Sequence, residues 1–352
     1  MKKIKVKDAA EGETLAEVIM GKSGSVLLYE GAVLNSEHIS KLIDNNIEEI
    51  CIRDDVVKES ILYTIETIEK DSVVQIKDAV HRRLRMGEDS DFKIIEETAV
   101  NIIKNVVNNV DVASCMVDIK RNSGELYSHM LNVASLSAIM GIKEGFSEHQ
   151  LRCVTEGALL HDIGLTKVTV PYENVEMDTM PAADKLNYRK HVISGYQMLQ
   201  SFKWMEEMTK LIVLSHHERM NGSGYPFHKT EERLTDEVKL VAICDHFDEL
   251  VNGIGYERHK VYEVVEYFRT NGAALFDYRM TTGIMNDIAW FPNGSTVLTN
   301  EGEVALILGQ NHKLPDRPII KVLRTSDGQE CTEEVIKDLT EHLTVFIIDT
   351  ID

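Results

Sequence analysis

The feature that most constrains this chain is a cluster of histidines within a long stretch of helical periodicity. Eight of its 13 histidines fall between residues 129 and 246, where apolar residues recur three and four positions apart. The ionisable residues that this periodicity places on inward helix faces or at helix ends are Glu125, His129, His161, Asp162, His191, His216, His217 and Asp245. Burying so many ionisable groups is very costly unless cations neutralise them. The sequence therefore predicts several helices packed around a metal centre.

Each of these residues, taken alone, has a simpler interpretation. A single histidine at the end of an apolar helix is more often a hydrogen-bonded core residue than a ligand, and a single aspartate can cap a helix. The group as a whole favours metal binding, and ligands restricted to His, Asp and Glu favour iron, manganese or zinc in a hydrolytic role over a structural thiolate site. The five cysteines are scattered without a Cys-x-x-Cys pair, which predicts reduced thiols.

The periodicity also predicts the domain organisation. A chain of 352 residues exceeds the usual size of one domain, so two or three compact units are expected. We predict a mainly α protein, an all-α helical bundle with a small N-terminal α+β or β-rich domain and a short C-terminal β appendage. The predicted boundaries are 1–55 for the N-terminal, regulatory domain, 56–94 for a connecting helical segment, 95–325 for the bundle with its β appendage, and 326–352 for a C-terminal extension. The helical pattern between residues 56 and 86 fits either a connector or a dimerising helix, so a homodimer stays open.

The net charge of the chain limits the partners that it can bind. The chain has 38 Lys plus Arg against 58 Asp plus Glu, a formal net charge of -20. This acidity opposes binding to polymeric nucleic acid and to anionic membrane surfaces. Neither an N-terminal signal-peptide pattern nor an apolar run of about 18 to 20 residues occurs, so we expect a cytoplasmic protein without membrane association. A small anionic ligand would need locally bound cations.

One segment carries a long and specific motif, HHERMNGSGYP at residues 216–226. With His161-Asp162 before it and Asp245 after it, this segment resembles the HD-GYP signature His-His-Glu-x-x-Asp-Gly-x-Gly-Tyr-Pro of the HD phosphohydrolase superfamily. The resemblance extends over residues 95–325 and implies an HD-type helical bundle. It also implies a bacterial phosphodiesterase that acts in second-messenger signalling. Such an enzyme hydrolyses cyclic di-GMP to the linear dinucleotide pGpG and often hydrolyses pGpG further to GMP.

The resemblance implies a role for each predicted ligand. One metal would be held by His129, His161, Asp162 and Asp245, and Asp162 would bridge to a second metal completed by His191, His216 and His217. Glu125, one turn before His129, takes the position of a third-metal ligand in some members. The implied cofactors are therefore two or three divalent ions, iron or manganese. A hydroxide bridging two such cations is nucleophilic near neutral pH, and Asp162, His161 and Tyr225 are the implied catalytic residues.

The loop of the motif is implied to contact the substrate. Gly222 and Gly224 would allow close backbone approach, and Tyr225 would stack on guanine or bond to phosphate. A purely structural turn is the alternative role for Tyr225.

Three positions depart from the family pattern. Leu165 stands where the family has a lysine that contacts the scissile phosphate or the nucleophile, Asn221 replaces the loop aspartate, and the segment after Asp245 lacks an arginine at Ile254. The candidates to replace the missing phosphate contacts are Arg258 and Lys260. These departures leave two alternatives, a catalytically weak cyclic di-GMP receptor and an HD phosphohydrolase that acts on another nucleotide.

Overall fold

The chain divides into two compact units, Met1–Ser60 and Ile61–Asp352. The computed structural model describes residues 2–9, 19–20, 26–28, 34–45, 47, 49–52, 63–64, 93–109, 117–118, 126–311 and 313–351. Among these residues, none of the helices combines the length and the apolar character that a membrane span requires.

The first unit combines short strands with one helix. Its elements are β1 (Lys2–Lys5), β2 (Ile19–Met20), β3 (Val26–Leu28), α1 (Ser36–Asp44) and β4 (Glu49–Ile52). Strand β1 pairs antiparallel with β4, and β2 pairs antiparallel with β3. The Asn35 side chain accepts a hydrogen bond from the backbone N–H of His38 at 2.8 Å and so caps α1. The described part of this unit is α+β.

The second unit is dominated by helices. They are α2 (Lys93–Asn109), α3 (Leu126–Lys143), α4 (Glu148–Leu160), α5 (Ala182–Arg189), α6 (His191–Leu199), α7 (Glu207–Ser215), α8 (Asp236–Asn252), α9 (Val261–Leu275) and α10 (Tyr278–Asp287). Helices α3 and α8 form the centre, because all residues from Leu126 to Gly141 except Ser128, and all from Leu240 to Asn252, are buried. Helix α3 packs against α2, α4 and α8, while α4 packs against α7. The predicted helical bundle is present.

Helix ends in this bundle follow from local sequence. Ser147 and Gln150 form a reciprocal capping box at the start of α4, and the Thr235 side chain caps α8. Gly253 ends α8 in the left-handed region with φ of +79°. These caps and the glycine fix where α4 and α8 begin and where α8 ends.

The C-terminal part of this unit is an antiparallel sheet with strand order β10-β9-β8-β7-β11. Its strands are β7 (Thr296–Thr299), β8 (Val304–Gly309), β9 (Ile319–Arg324), β10 (Glu330–Asp338) and β11 (Ile347–Ile351). Here the structure differs from the predicted boundary at residue 325. Strand β10 extends the sheet beside β9, and β11 closes its other edge beside β7, so residues predicted as an extension complete the β appendage.

The segment 56–94, predicted as a helical connector, lies almost wholly outside the described residues. Within it, Tyr63–Thr64 forms a two-residue strand (β5) that pairs in parallel with Val117–Asp118 (β6), where a helix was expected. Aromatic and β-branched residues suit such extended pairing. The dimerising role of residues 56–86 stays a prediction, and Glu125 also lies outside the described residues.

Candidate metal centre

Five elements bring seven of the predicted ligands to one place. Helix α3 supplies His129, the end of α4 supplies His161 and Asp162, α6 begins with His191, the end of α7 leads into His216 and His217, and α8 supplies Asp245. Each of these side chains belongs to a residue that is at most 4% exposed. A group of imidazoles and carboxylates that is buried to this extent needs compensating charge.

The histidine rings are held by their outer nitrogens. Nδ1 of His161 lies 2.7 Å from the carbonyl oxygen of Ala158, and Nδ1 of His191 lies 2.7 Å from that of Tyr188. Nδ1 of His216 likewise lies 3.0 Å from the carbonyl oxygen of Val213. Because a carbonyl only accepts, each Nδ1 carries the proton and each Nε2 presents a lone pair to the interior.

These inward nitrogens lie against each other. The Nε2 atoms of His129 and His161 are 3.1 Å apart, and those of His191 and His216 are 3.3 Å apart. Two lone pairs at such a distance repel unless a cation or a proton lies beside them. A divalent cation bound by both nitrogens removes that repulsion, and this is the usual arrangement in histidine metal sites.

Asp162 joins the two histidine pairs. Its Oδ2 lies 3.6 Å from Nε2 of both His129 and His161, while its Oδ1 lies 3.1 Å from Nε2 of His191. The ligand atoms of Asp162, His191, His216 and His217 all lie within 4.8 Å of one another, and so do those of His129, His161 and Asp162. The residues fit two adjacent cation positions that share one carboxylate.

Asp245 faces the first of these pairs from α8. Its Oδ1 lies 3.2 Å from Nε2 of His129 and 3.1 Å from Nε2 of His161. Within the described part of the chain, both oxygens of Asp245 and Oδ1 of Asp162 are buried without a hydrogen-bond partner of acceptable geometry. Buried carboxylate oxygens are normally satisfied, so these atoms are oriented as ligands for cations.

The electrostatics of the site favour the ligand-competent forms of Asp162 and His217. Burial raises the pKa of Asp162, but the charges of His161 and His191 outweigh it, so the pKa lies well below its usual value. Burial, reinforced by the charge of His216, lowers the pKa of His217 well below its usual value. Ionised carboxylates and neutral imidazoles are the forms that bind metal. At His129 burial lowers the pKa, but hydrogen bonds to Asp245 and Asp248 outweigh it and raise the pKa well above its usual value, so a cation there competes with a proton.

Close backbone packing places His191 beside Asp162. The turn Ile163–Lys167 follows Asp162 and packs on α6. A Cβ at Gly164 would lie 2.0 Å from the carbonyl oxygen of His191, so a larger residue would push the turn away from α6. Leu165, at the position of the family's lysine, is 1% exposed in the hydrophobic core.

The motif loop folds back on the metal centre. The buried Glu218 carboxylate accepts hydrogen bonds from the backbone N–H groups of Phe227 at 2.7 Å and Lys229 at 2.9 Å. A Cβ at Gly224 would lie 2.4 Å from the carbonyl oxygen of His217, so this position requires glycine. The Tyr225 ring stacks on the His217 ring with centroids 4.6 Å apart. The loop therefore fixes Tyr225 directly beside a predicted metal ligand.

A cavity of about 540 Å³ opens beside this loop. Gly224 and Tyr225, two of the residues predicted to contact substrate, line it together with His217. Its volume falls in the range of about 300 to 1,000 Å³ that is typical of small-molecule sites. Gly222 does not line the cavity. Its φ of +77° lies in the left-handed region that favours glycine, so its role is in the turn of the motif loop.

The two predicted replacement phosphate contacts are engaged elsewhere. Nε of Arg258 donates to the carbonyl oxygen of Asn252 at 2.9 Å, at the end of α8. Nζ of Lys260 pairs with the Asp349 carboxylate and donates to the carbonyl oxygen of Thr350 at 2.9 Å, in β11. Neither residue belongs to the cavity lining. The structure thus assigns both side chains to packing between elements and does not support the predicted phosphate role.

Sequence reasoning missed two carboxylates on α8. Asp248 Oδ2 lies 2.7 Å from Nδ1 of His129 and orients that ring. Glu249 lines the cavity, and its Oε1 lies 3.9 Å from Nε2 of His217. Burial, together with the charge of Asp245, raises the pKa of Glu249 well above its usual value. Their spacing of three and four residues from Asp245 was the available signal, since such positions share a helix face.

Comparison with known proteins places this centre in a family. Residues 105–279 match a family model described as an HD domain, and residues 296–352 match one described as a KOW domain associated with HD domain. The chain is 24% identical over 265 residues to the cyclic di-GMP phosphodiesterase PA4108 of Pseudomonas aeruginosa, with 74% of this chain and 63% of the relative covered. It is 28% identical over 170 residues to the cyclic di-GMP phosphodiesterase response regulator RpfG of Xanthomonas campestris pv. campestris, covering 47% of this chain and 44% of the relative. The chain thus spans less than two thirds of either relative.

The fold is shared with a solved structure, Bd1817, an HDG"Y"P protein from Bdellovibrio bacteriovorus. The match has a TM-score of 0.52 at 19% identity and covers 81% of this chain and 98% of that one. It extends the likeness beyond the helices that carry the buried histidines and aspartates. The HD domain match and the relatives support assignment of the chain to the HD-GYP family of HD phosphohydrolases.

Proposed function

We propose that this protein is a metal-dependent phosphodiesterase that hydrolyses cyclic di-GMP to pGpG and then to GMP. The observation that carries the proposal is the pair of cation positions around Asp162, directly beside the cavity that Tyr225 lines. The relatives named as cyclic di-GMP phosphodiesterases support the choice of substrate.

The proposed ligands fall into two sets. His129, His161, Asp162 and Asp245 would hold one cation, and Asp162, His191, His216 and His217 the other. We infer iron or manganese from the resemblance to the HD-GYP family, and the imidazole and carboxylate donors are compatible with both ions. When bound, such cations lower the pKa of a water toward 7 and polarise phosphoryl oxygens. A third ion with Glu125 as its ligand stays a prediction.

The chain's own groups then position the reaction. Asp162 would be shared by both cations, because its two oxygens face different histidine pairs. Tyr225 lies at the inner wall of the cavity, where its ring contacts His217. Leu165 is buried and supplies no cationic group at the position of the family's lysine. Cations held by the ligand set would supply charge that stabilises the scissile phosphate.

The centre also resolves the conflict between an acidic chain and an anionic substrate. Asp162 and Asp245 contribute about -2, and two divalent cations contribute about +4, which leaves a local charge of roughly +2. The net charge of -20 still disfavours polymeric nucleic acid. Activity should therefore depend strictly on metal.

The test uses anaerobically purified full-length protein. Elemental analysis should find about two divalent ions per chain, and chromatography should show conversion of cyclic di-GMP to pGpG and GMP. Asp162→Ala should lose both metal and turnover, whereas Asp236→Ala, at an exposed position at the start of α8, should keep both. Metal-loaded protein that binds cyclic di-GMP in calorimetry without hydrolysing it would instead identify a receptor.

A further inference from the structure

The Tyr225 ring is in contact with two other side chains. The His217 ring stacks on it at an interplanar angle of 24°, and the guanidinium carbon of Arg189 lies 5.1 Å from its centroid. Two groups of this size fit on one tyrosine only if they take opposite faces. A guanine base that stacks on Tyr225 would have to displace one of them, so base recognition here requires another contact.

Among its described lining residues the cavity contains two permanently cationic side chains, Arg189 and Arg219. Arg219 is committed to the loop, because its Nη1 donates to the carbonyl oxygens of His216 and Glu218, each at 3.0 Å, and its guanidinium lies over Phe276. Arg189 ends α5, its side chain is 47% exposed, and the carboxylate of Asp178 lies 3.9 Å away. Exposed ion pairs of this length contribute little, so the Arg189 guanidinium is available to a ligand.

We propose that Arg189 is a specificity-determining residue that reads guanine in the substrate through paired hydrogen bonds to O6 and N7. This inference rests on the proposed function. Arginine is the side chain whose planar donors match these two acceptors, and adenine presents an amino donor in place of O6.

The position of Arg189 favours a base over the scissile phosphate as its target. The phosphate must reach the cation positions, to which His217 contributes. Tyr225 lies between His217 and Arg189, with 4.6 Å to the first ring centroid and 5.1 Å to the guanidinium carbon. The Tyr225 ring therefore separates the Arg189 guanidinium from the cation positions. A ribose and base attached to the bound phosphate extend outward into that region.

The nearby carboxylate of Asp178 fits the same assignment. It lines the cavity beside Arg189 and is 72% exposed on its side chain. A carboxylate accepts hydrogen bonds, and the guanine amino group donates them. The Arg189–Asp178 pair thus offers donors and an acceptor to one base.

The experiment compares cyclic di-GMP with cyclic di-AMP on metal-loaded full-length protein. The variants are Arg189→Met, Arg189→Lys and the control Arg233→Met, which alters an exposed arginine outside the cavity lining. KM is the readout if wild-type protein hydrolyses the dinucleotides, and the calorimetric Kd is the readout if it only binds them. Absence of turnover by wild-type protein therefore refutes the proposed activity while still testing Arg189.

Arg189→Met should raise the KM or Kd for cyclic di-GMP by about 5- to 150-fold, the usual value of a bidentate base contact, and leave that for cyclic di-AMP within about twofold. Arg189→Lys should not restore the preference, because an ammonium lacks the paired planar donors. An equal loss for both dinucleotides, or full rescue by lysine, would mean that Arg189 acts only through charge and would overturn the proposal. Unchanged discrimination in Arg189→Met would overturn it as well.

Discussion

Asp248→Asn tests whether the metal centre depends on a carboxylate outside the predicted ligand set. Asp248 Oδ2 lies 2.7 Å from Nδ1 of His129, and its Oδ1 accepts from the side-chain amides of Asn132 at 3.1 Å and Asn252 at 2.9 Å. All three partners are donors. An asparagine at 248 must therefore direct its own NH2 group at one of them, whichever way its amide is oriented.

The magnitude follows from the loss of one hydrogen bond to a charged acceptor. Such a bond contributes about 1.5 to 3 kcal/mol. At about 1.4 kcal/mol per tenfold change, the variant should bind metal roughly 10- to 100-fold more weakly, in line with other carboxylates that orient metal-bound histidines. The hydrolytic rate at limiting metal should fall by a similar factor.

The assay is a metal titration of the metal-free protein against a competing chelator, followed by product chromatography at limiting and at saturating metal. The matched control is Asp236→Asn, an exposed aspartate on the same helix. If Asp248→Asn and Asp236→Asn show the same metal affinity, the assignment of Asp248 as the group that orients His129 is incorrect.

Three further predictions concern packing and pH. Gly164→Ala should cost more than 2 kcal/mol of stability and reduce metal content, because its Cβ would lie 2.0 Å from the carbonyl oxygen of His191; thermal unfolding with elemental analysis measures both. Lys260→Ala should lower the melting temperature by a few degrees through loss of its contacts with β11 but leave the KM for cyclic di-GMP within about twofold, and a larger rise in KM would restore its predicted phosphate role. Glu156→Gln should become increasingly stabilising as pH rises from the ordinary value of 4.5 through the folded pKa, since burial, only partly opposed by Arg152, raises the pKa of Glu156 in the folded state. The folded protein then binds the proton more tightly than the unfolded chain, so wild-type stability is greatest below the unfolded pKa and decreases above it. Equal pH dependence of unfolding in wild-type protein and Glu156→Gln would contradict this last expectation.

The predicted ligands could be found because each is a rare kind of residue in its context. A histidine such as His129, on the buried face of a helix whose other buried side chains are uncharged, has few explanations besides a specific polar contact. Asp248 and Glu249 were missed because carboxylates near a helix end are ordinarily solvated, and only the packing of α8 buries them.

Arg258 and Lys260 show why substrate contacts are harder to predict than ligands. Their charge suits a phosphate, but their partners depend on tertiary structure, and Lys260 bonds to residues 89 and 90 positions away.

Strand β10 could not be predicted from the sequence pattern. Its sequence ECTEEVIKD carries exposed charges, so its hydrophobic pattern is weak although the backbone pairing with β9 is regular over residues 335–338.

The bonds from Nδ1 of His161, His191 and His216 to carbonyl oxygens three residues earlier have a consequence for how the protein acquires metal. Through Nδ1, His161 and His216 are bonded to the helices that they follow, and His191 is bonded to the preceding helix α5. None of these bonds goes to another ligand, so the rotation of each ring is already restricted before an ion arrives. Ordering a long side chain costs about 0.5 to 1.5 kcal/mol in a binding event, and here most of that entropy is lost during folding. Removal of metal under mild conditions should leave the ligand side chains of the metal centre in place. Addition of the ion should then restore the occupied centre without a refolding step.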